Sequence, residues 1–140
     1  MKMNGVAHLV LTVNDPVRSL PFYDSVFGFL EMVAVIRTEQ MGYYIGGKTA
    51  VMIAPASEEH RGASFVQTRV GLHHLCFRAY ERTDVDALHA HLVGIGAKVV
   101  HPPEEASWAP GYYSVLFEDP DGIRLEMNHV PGKGLLTPTV

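Results

Sequence analysis

Two histidines and a glutamate occupy related places in the chain. His8 lies in the run Gly5-Val6-Ala7-His8-Leu9-Val10-Leu11-Thr12-Val13, and His74 holds the same place in Gly71-Leu72-His73-His74-Leu75-Cys76-Phe77-Arg78-Ala79, 66 residues later. Strand alternation puts Leu9, Leu11 and Val13 on one face and His8, Val10 and Thr12 on the other. The same reading turns His74 away from Leu75 and Phe77. Near the end of the chain Glu126 sits between Leu125 and Met127, so it shares the opposite face with Asn128. Two imidazoles and a carboxylate form an ordinary ligand set for Zn, Mn, Fe, Ni or Co. Three protein ligands leave positions open for water or a small-molecule substrate.

The elements around these residues repeat as well. Each half reads as strand, helix, then about three strands, with module one at about 5–55, a linker at about 56–70 and module two at about 71–130. The whole, 1–140, is expected to be a single domain with an irregular tail at 131–140. In module one, Asp15 caps a helix with Pro16 at its first position, Phe22, Val26 and Phe29 follow at helical spacing, and Gly28 ends it or begins its exit. Gly46-Gly47-Lys48 turns a hairpin. In module two the strand Leu72–Ala79 leads to a helix opened by Thr83-Asp84, with Val85, Leu88, Leu92 and Ile95 on one stripe and Gly96 as its C-terminal glycine. Pro102-Pro103 breaks the strand that begins at Lys98. Asp119-Pro120-Asp121-Gly122 turns the closing hairpin.

The other polar groups have plainer readings. Gly42-Tyr43-Tyr44 echoes Gly111-Tyr112-Tyr113, which makes Tyr43 and Tyr112 counterparts and the weaker catalytic candidates, since a phenol can orient a substrate or transfer a proton. His73 matches Ala7 and faces away from His74 on a strand, so it reads as structural or surface. Cys76 matches Val10 and reads as a small buried hydrophobe.

Bulk properties narrow the function classes. A net charge of −4 favours neither nucleic acid nor an anionic membrane. The lone Cys76 excludes an intrachain disulfide and a cysteine-built zinc site. No apolar run resembles a signal peptide or a membrane span, so a cytoplasmic location is expected.

The two His-Leu strands, the helix carrying Ser19-Leu20-Pro21-Phe22-Tyr23 to Gly28-Phe29, and the segment Phe117-Glu118-Asp119-Pro120-Asp121-Gly122-Ile123-Arg124-Leu125-Glu126 together resemble the vicinal oxygen chelate superfamily. That superfamily includes glyoxalase I, extradiol dioxygenases, fosfomycin-resistance and bleomycin-resistance proteins, and methylmalonyl-CoA epimerase. The resemblance implies an α+β fold of two tandem βαβββ modules whose curled mixed sheets enclose a metal cleft. It implies one divalent metal ion on His8, His74 and Glu126, a homodimer, and glyoxalase-like Lewis-acid chemistry on a small oxygen-rich substrate chelated through vicinal oxygens. It also admits Fe(II)-dependent dioxygenation on the same 2-His-1-carboxylate set, or a resistance-type protein that only binds a small molecule. Two positions depart from the family pattern. Four-ligand members take a further ligand from the last strand of module one, where the repeat puts Val51 or Met52. Fosfomycin-resistance and extradiol members carry a tyrosine ten residues before the glutamate, where this chain has Leu116.

Overall fold

The computed structural model describes residues 2–132. The tail expected at 131–140 falls mostly on 133–140, outside the described residues. The chain forms two compact units, Met1–Phe65 and Val66–Val140. Among the described residues no helix is long and apolar enough to cross a membrane.

The first unit runs β1 (His8–Val13), α1 (Pro16–Phe29), β2 (Val33–Arg37), β3 (Gly42–Gly46) and β4 (Thr49–Pro55). Its mixed sheet has the order β1-β4-β3-β2, with β1 parallel to β4 and the other pairs antiparallel. Alternation along β1 is as the sequence dictates: Leu11 and Val13 are buried, while His8, Val10 and Thr12 are exposed. Helix α1 begins where Asp15 accepts a hydrogen bond from the Val17 amide, with Pro16 directly after. Its buried residues Leu20, Tyr23, Val26 and Phe27 recur at helical spacing, and the Phe27 ring meets Tyr44 of β3 edge-on at 5.0 Å. Gly28 stands where the exit from the helix begins. It lies inside the last turn, and the chain leaves through Leu30 and Glu31, the latter at φ 57°. The β3–β4 turn is built on Gly47 and Lys48 at φ 55° and 67°, the paired left-handed conformations that match the twist of a two-residue hairpin.

The second unit repeats the plan with β5 (Leu75–Arg78), α2 (Arg82–Gly94), β6 (Lys98–Glu105), β7 (Tyr113–Glu118) and β8 (Arg124–His129). Its sheet order is β5-β8-β7-β6, again with one parallel pair, β5 and β8. The fold is therefore α+β with the βαβββ order twice over. Val85, Leu88 and Leu92 of α2 are fully buried, while Ile95 has slipped past the helix end and is exposed. The α2 cap stands earlier than the sequence suggests. Glu81 caps, and Asp84 answers as its capping-box partner with a bond to the Glu81 amide. Pro102-Pro103 does not break β6. That strand is the sheet edge, where a missing amide costs no ladder bond, and the pairing register shifts between His101 and Glu104 to pass the prolines. In the closing turn the Asp119 carboxylate accepts from the Asp121 and Ile123 amides.

Candidate functional site

Strand β8 is the centre of the second unit's sheet, and Glu126 is its buried carboxylate, 8% exposed. Register places Cys76 of β5 on one side of Glu126 and Leu116 of β7 on the other. A carboxylate so enclosed needs partners. Tyr112, just before β7 and itself buried, donates its hydroxyl hydrogen to Glu126 Oε1 at 2.5 Å. His74 Nε2 stands 3.1 Å from Glu126 Oε2. Of the sequence candidates, His74, Glu126 and Tyr112 are thus assembled in one unit. His8 and Tyr43 belong to the other, where His8 lies exposed on β1 opposite Ala50 and Tyr43 lies on β3 opposite Met52.

At 3.1 Å, His74 Nε2 and Glu126 Oε2 are within hydrogen-bonding distance of one another, and donors about 3 Å apart are also close enough to flank one small divalent cation with bonds of about 2.1 Å. Imidazole with carboxylate is also the right donor chemistry for such an ion. Among the described residues no group of three or more His, Cys, Asp and Glu is placed to hold a metal.

One expectation fails instructively. His73 does not face away from His74. Strand β5 starts only at Leu75, so alternation does not govern the two histidines, and their Nδ1 atoms approach to 2.7 Å. Gln67 Nε2 then lies 3.2 Å from the same His73 nitrogen. Gln67 carries no signal in the sequence, and the strand alternation that would turn His73 away does not extend to it.

The electrostatics sort the remaining groups into donors and acids. Burial, reinforced by the bond to Glu126, pushes the Tyr112 phenol well above its ordinary range, so it remains a hydrogen-bond donor. Burial of the Cys76 thiol, with the Glu126 charge adding to it, raises its pKa to about 12. Cys76 retains exposed surface as a residue, but its thiol is held in the neutral form and is no activated nucleophile.

The registers also settle which residues are equivalent. Cys76 pairs with Glu126 as Val10 pairs with Met52, so Met52 is the module-one counterpart of Glu126, and fully buried Val51 points to the opposite face. Tyr43 lies opposite Met52 as Leu116 lies opposite Glu126. The Tyr43/Tyr112 echo in the sequence is therefore not a structural equivalence.

Comparison with known proteins agrees with this plan. Residues 5–127 match the family described as the Glyoxalase/Bleomycin resistance protein/Dioxygenase superfamily. The uncharacterized protein YqjT of Bacillus subtilis is 32% identical over 78 residues, 55% of this chain and 61% of that protein. Metallothiol transferase FosB of Shouchella clausii is 25% identical over 126 residues, 90% of this chain and 80% of its own. Among solved structures, the glyoxylase/bleomycin resistance protein/dioxygenase domain from Frankia sp. EAN1pec superposes with a TM-score of 0.71 at 27% identity, covering 91% of this chain and 98% of that one. With the doubled βαβββ plan and a family match over nearly the whole length, the chain belongs to the glyoxalase/bleomycin resistance protein/dioxygenase superfamily.

Proposed function

We propose that this protein is a metal-dependent, glyoxalase-like enzyme. It binds one divalent ion through His8, His74 and Glu126 and acts on a small oxygen-rich substrate that presents two vicinal oxygens. The observation that carries this reading is the pairing of His74 Nε2 with Glu126 Oε2 at 3.1 Å on a buried carboxylate clamped from its other oxygen by Tyr112. The likeness to a protein named metallothiol transferase supports a metal at the family's ligand positions. When bound, the ion would act as a Lewis acid that polarises the substrate oxygens and stabilises developing negative charge.

The chain's own residues prepare that chemistry. Glu126 supplies a fixed anion, because Tyr112 holds Oε1 and leaves Oε2 to face His74. Tyr112 stays protonated and orients; it does not serve as a base at neutral pH. Asn128, one pleat further along β8 and 9% exposed, hydrogen-bonds Tyr112 through its side chain and so helps to hold the phenol in place. Leu116, beside Glu126, supplies an apolar wall where a hydroxyl is found in some relatives.

The test is an activity screen of the Zn(II)-, Mn(II)-, Ni(II)- and Fe(II)-loaded protein against hydroxyketones, hemithioacetals, epoxides with a thiol, and catechols, with oxygen uptake followed in parallel. Isomerisation or addition without oxygen uptake is the expected result. Oxygen consumption restricted to the Fe(II) form would establish dioxygenation instead. Tight ligand binding that survives removal of metal would make the protein a binding module. The protein is proposed to work as a homodimer, which light scattering of the purified protein tests by a mass near twice 15.4 kDa.

A further inference from the structure

One face of the second unit's sheet carries its charges in rows. Cys76 pairs with Glu126, and two residues further along both strands Arg78 pairs with Asn128. Residues two apart on a strand point to the same side, so Arg78 stands on the face that holds Glu126, one row beyond it. Arg78 is exposed, on the edge strand β5. Its charge is felt at the Cys76 thiol, where burial and the Glu126 charge push the pKa up and Arg78 pulls it down. The two ends of the face differ. At one end, Arg124 Nε and Lys98 Nζ both lie on the buried Glu118, at 2.7 and 2.6 Å, and these ion pairs tie β8, β7 and β6 together. At the other end the row runs Arg78, Asn128, Ser114 and Glu104. Asn128 and Ser114 are buried and uncharged. They put three strand spacings, about 14 Å of backbone, between Arg78 and Glu104, and Glu104 lies 3.5 Å from His101.

Two residues along a strand cover about 7 Å, so a group held at Glu126 and an anion held at Arg78 are bridged by a short carbon chain. A guanidinium is shaped to grip a carboxylate or phosphoryl group through two parallel hydrogen bonds. We propose that Arg78 is a specificity-determining residue: it selects substrates that carry an anionic group, a carboxylate or a phosphoryl, a short carbon chain away from the two vicinal oxygens. This choice of substrate rests on the metal-dependent reading above and adds a charge to it. The module-one counterpart of Arg78 is Thr12, so only module two offers the cation.

The test is calorimetric binding of three hydroxamates to the full chain, with and without Zn(II). A hydroxamate presents two vicinal oxygens to a metal. Butyrohydroxamate has an uncharged tail, whereas succinic monohydroxamate ends in a carboxylate and 3-phosphonopropanohydroxamate in a phosphonate. The Zn(II)-loaded wild type is expected to bind at least one anionic probe about tenfold or more tighter than butyrohydroxamate, and the tighter of the two identifies the group. Arg78→Leu brings the three affinities to within about twofold of one another. Arg78→Lys keeps part of the preference, since it retains the charge without the fork. In about 1 M salt the wild-type preference shrinks. A wild type without preference overturns the proposal, as does an Arg78→Leu variant that weakens all three probes by one factor and keeps the preference. Butyrohydroxamate that binds as tightly without Zn(II) as with it overturns the metal-dependent reading, and the preference among the probes then decides the role of Arg78 by itself. Absence of binding by all three overturns both.

Discussion

Glu126 is a carboxylate with almost no water of its own, and everything around it follows from that. One oxygen takes a hydrogen from Tyr112 and the other faces His74. Replacing Tyr112 with Phe deletes one donor and leaves a buried carboxylate oxygen without it. The variant is expected to lose about 1–3 kcal/mol of stability in urea unfolding. The loss should shrink when metal is present, because an ion supplies the missing positive partner. Equal stability of the Phe variant and the wild type would mean that the clamp contributes nothing. His74 and Glu126 were legible in the sequence because a repeated motif and a period of two are both local signals. Gln67 and His73 were not. Their contacts depend on the chain entering β5 in a non-strand conformation, so that neighbouring side chains meet where alternation would separate them.

The helices and strands carry their own tests. In the first unit Asp24 of α1 takes the guanidinium of Arg37 from β2, at 2.8 to 3.0 Å, and the Tyr44 hydroxyl from β3 at 2.6 Å. Burial alone would raise the Asp24 pKa, but the bonds from Arg37 and Tyr44 and the Arg37 charge outweigh it and hold it below the ordinary 3.8. A carboxylate whose folded-state pKa is depressed adds stability above its unfolded pKa, and that stability is lost as pH falls through the folded value. The acid limb of the stability curve, below about pH 4, should therefore be steeper in the wild type than in Asp24→Asn. A variant with the same acid limb would show that the cluster is not linked to folding. In the second unit the Glu81 cap of α2 should be worth about 1 kcal/mol, read as the loss on Glu81→Ala. The start of α1 and the two hairpin turns were readable from capping residues and glycines, whereas α2 starts earlier than Thr83-Asp84 suggested. The end of α1 was readable only to within a turn: Gly28 lies in the last turn, and Glu31 takes the left-handed conformation three residues later. The prolines of β6 were misread because a linear pattern does not say which strand is the sheet edge.

At the scale of the molecule, duplication was the clearest signal in the sequence, and the two sheets repeat it strand for strand. The equivalences within the repeat needed the register. The Gly-Tyr-Tyr echo is out of step with strand pairing, because the turn of the closing hairpin is longer than that of the first and the strands meet at different points along their length. What the register sharpens is the asymmetry. Module two offers Glu126 on its central strand, and module one offers Met52 at the same place, so the proposed ion has three protein ligands and not four. The most direct test is the metal content of the purified wild type beside His8→Ala, His74→Ala and Glu126→Gln, measured by mass spectrometry after equal exposure to Zn(II). The account predicts about one ion per chain in the wild type and a loss of at least tenfold in affinity in each variant. Full metal content in His74→Ala, with its fold intact by circular dichroism, would contradict it.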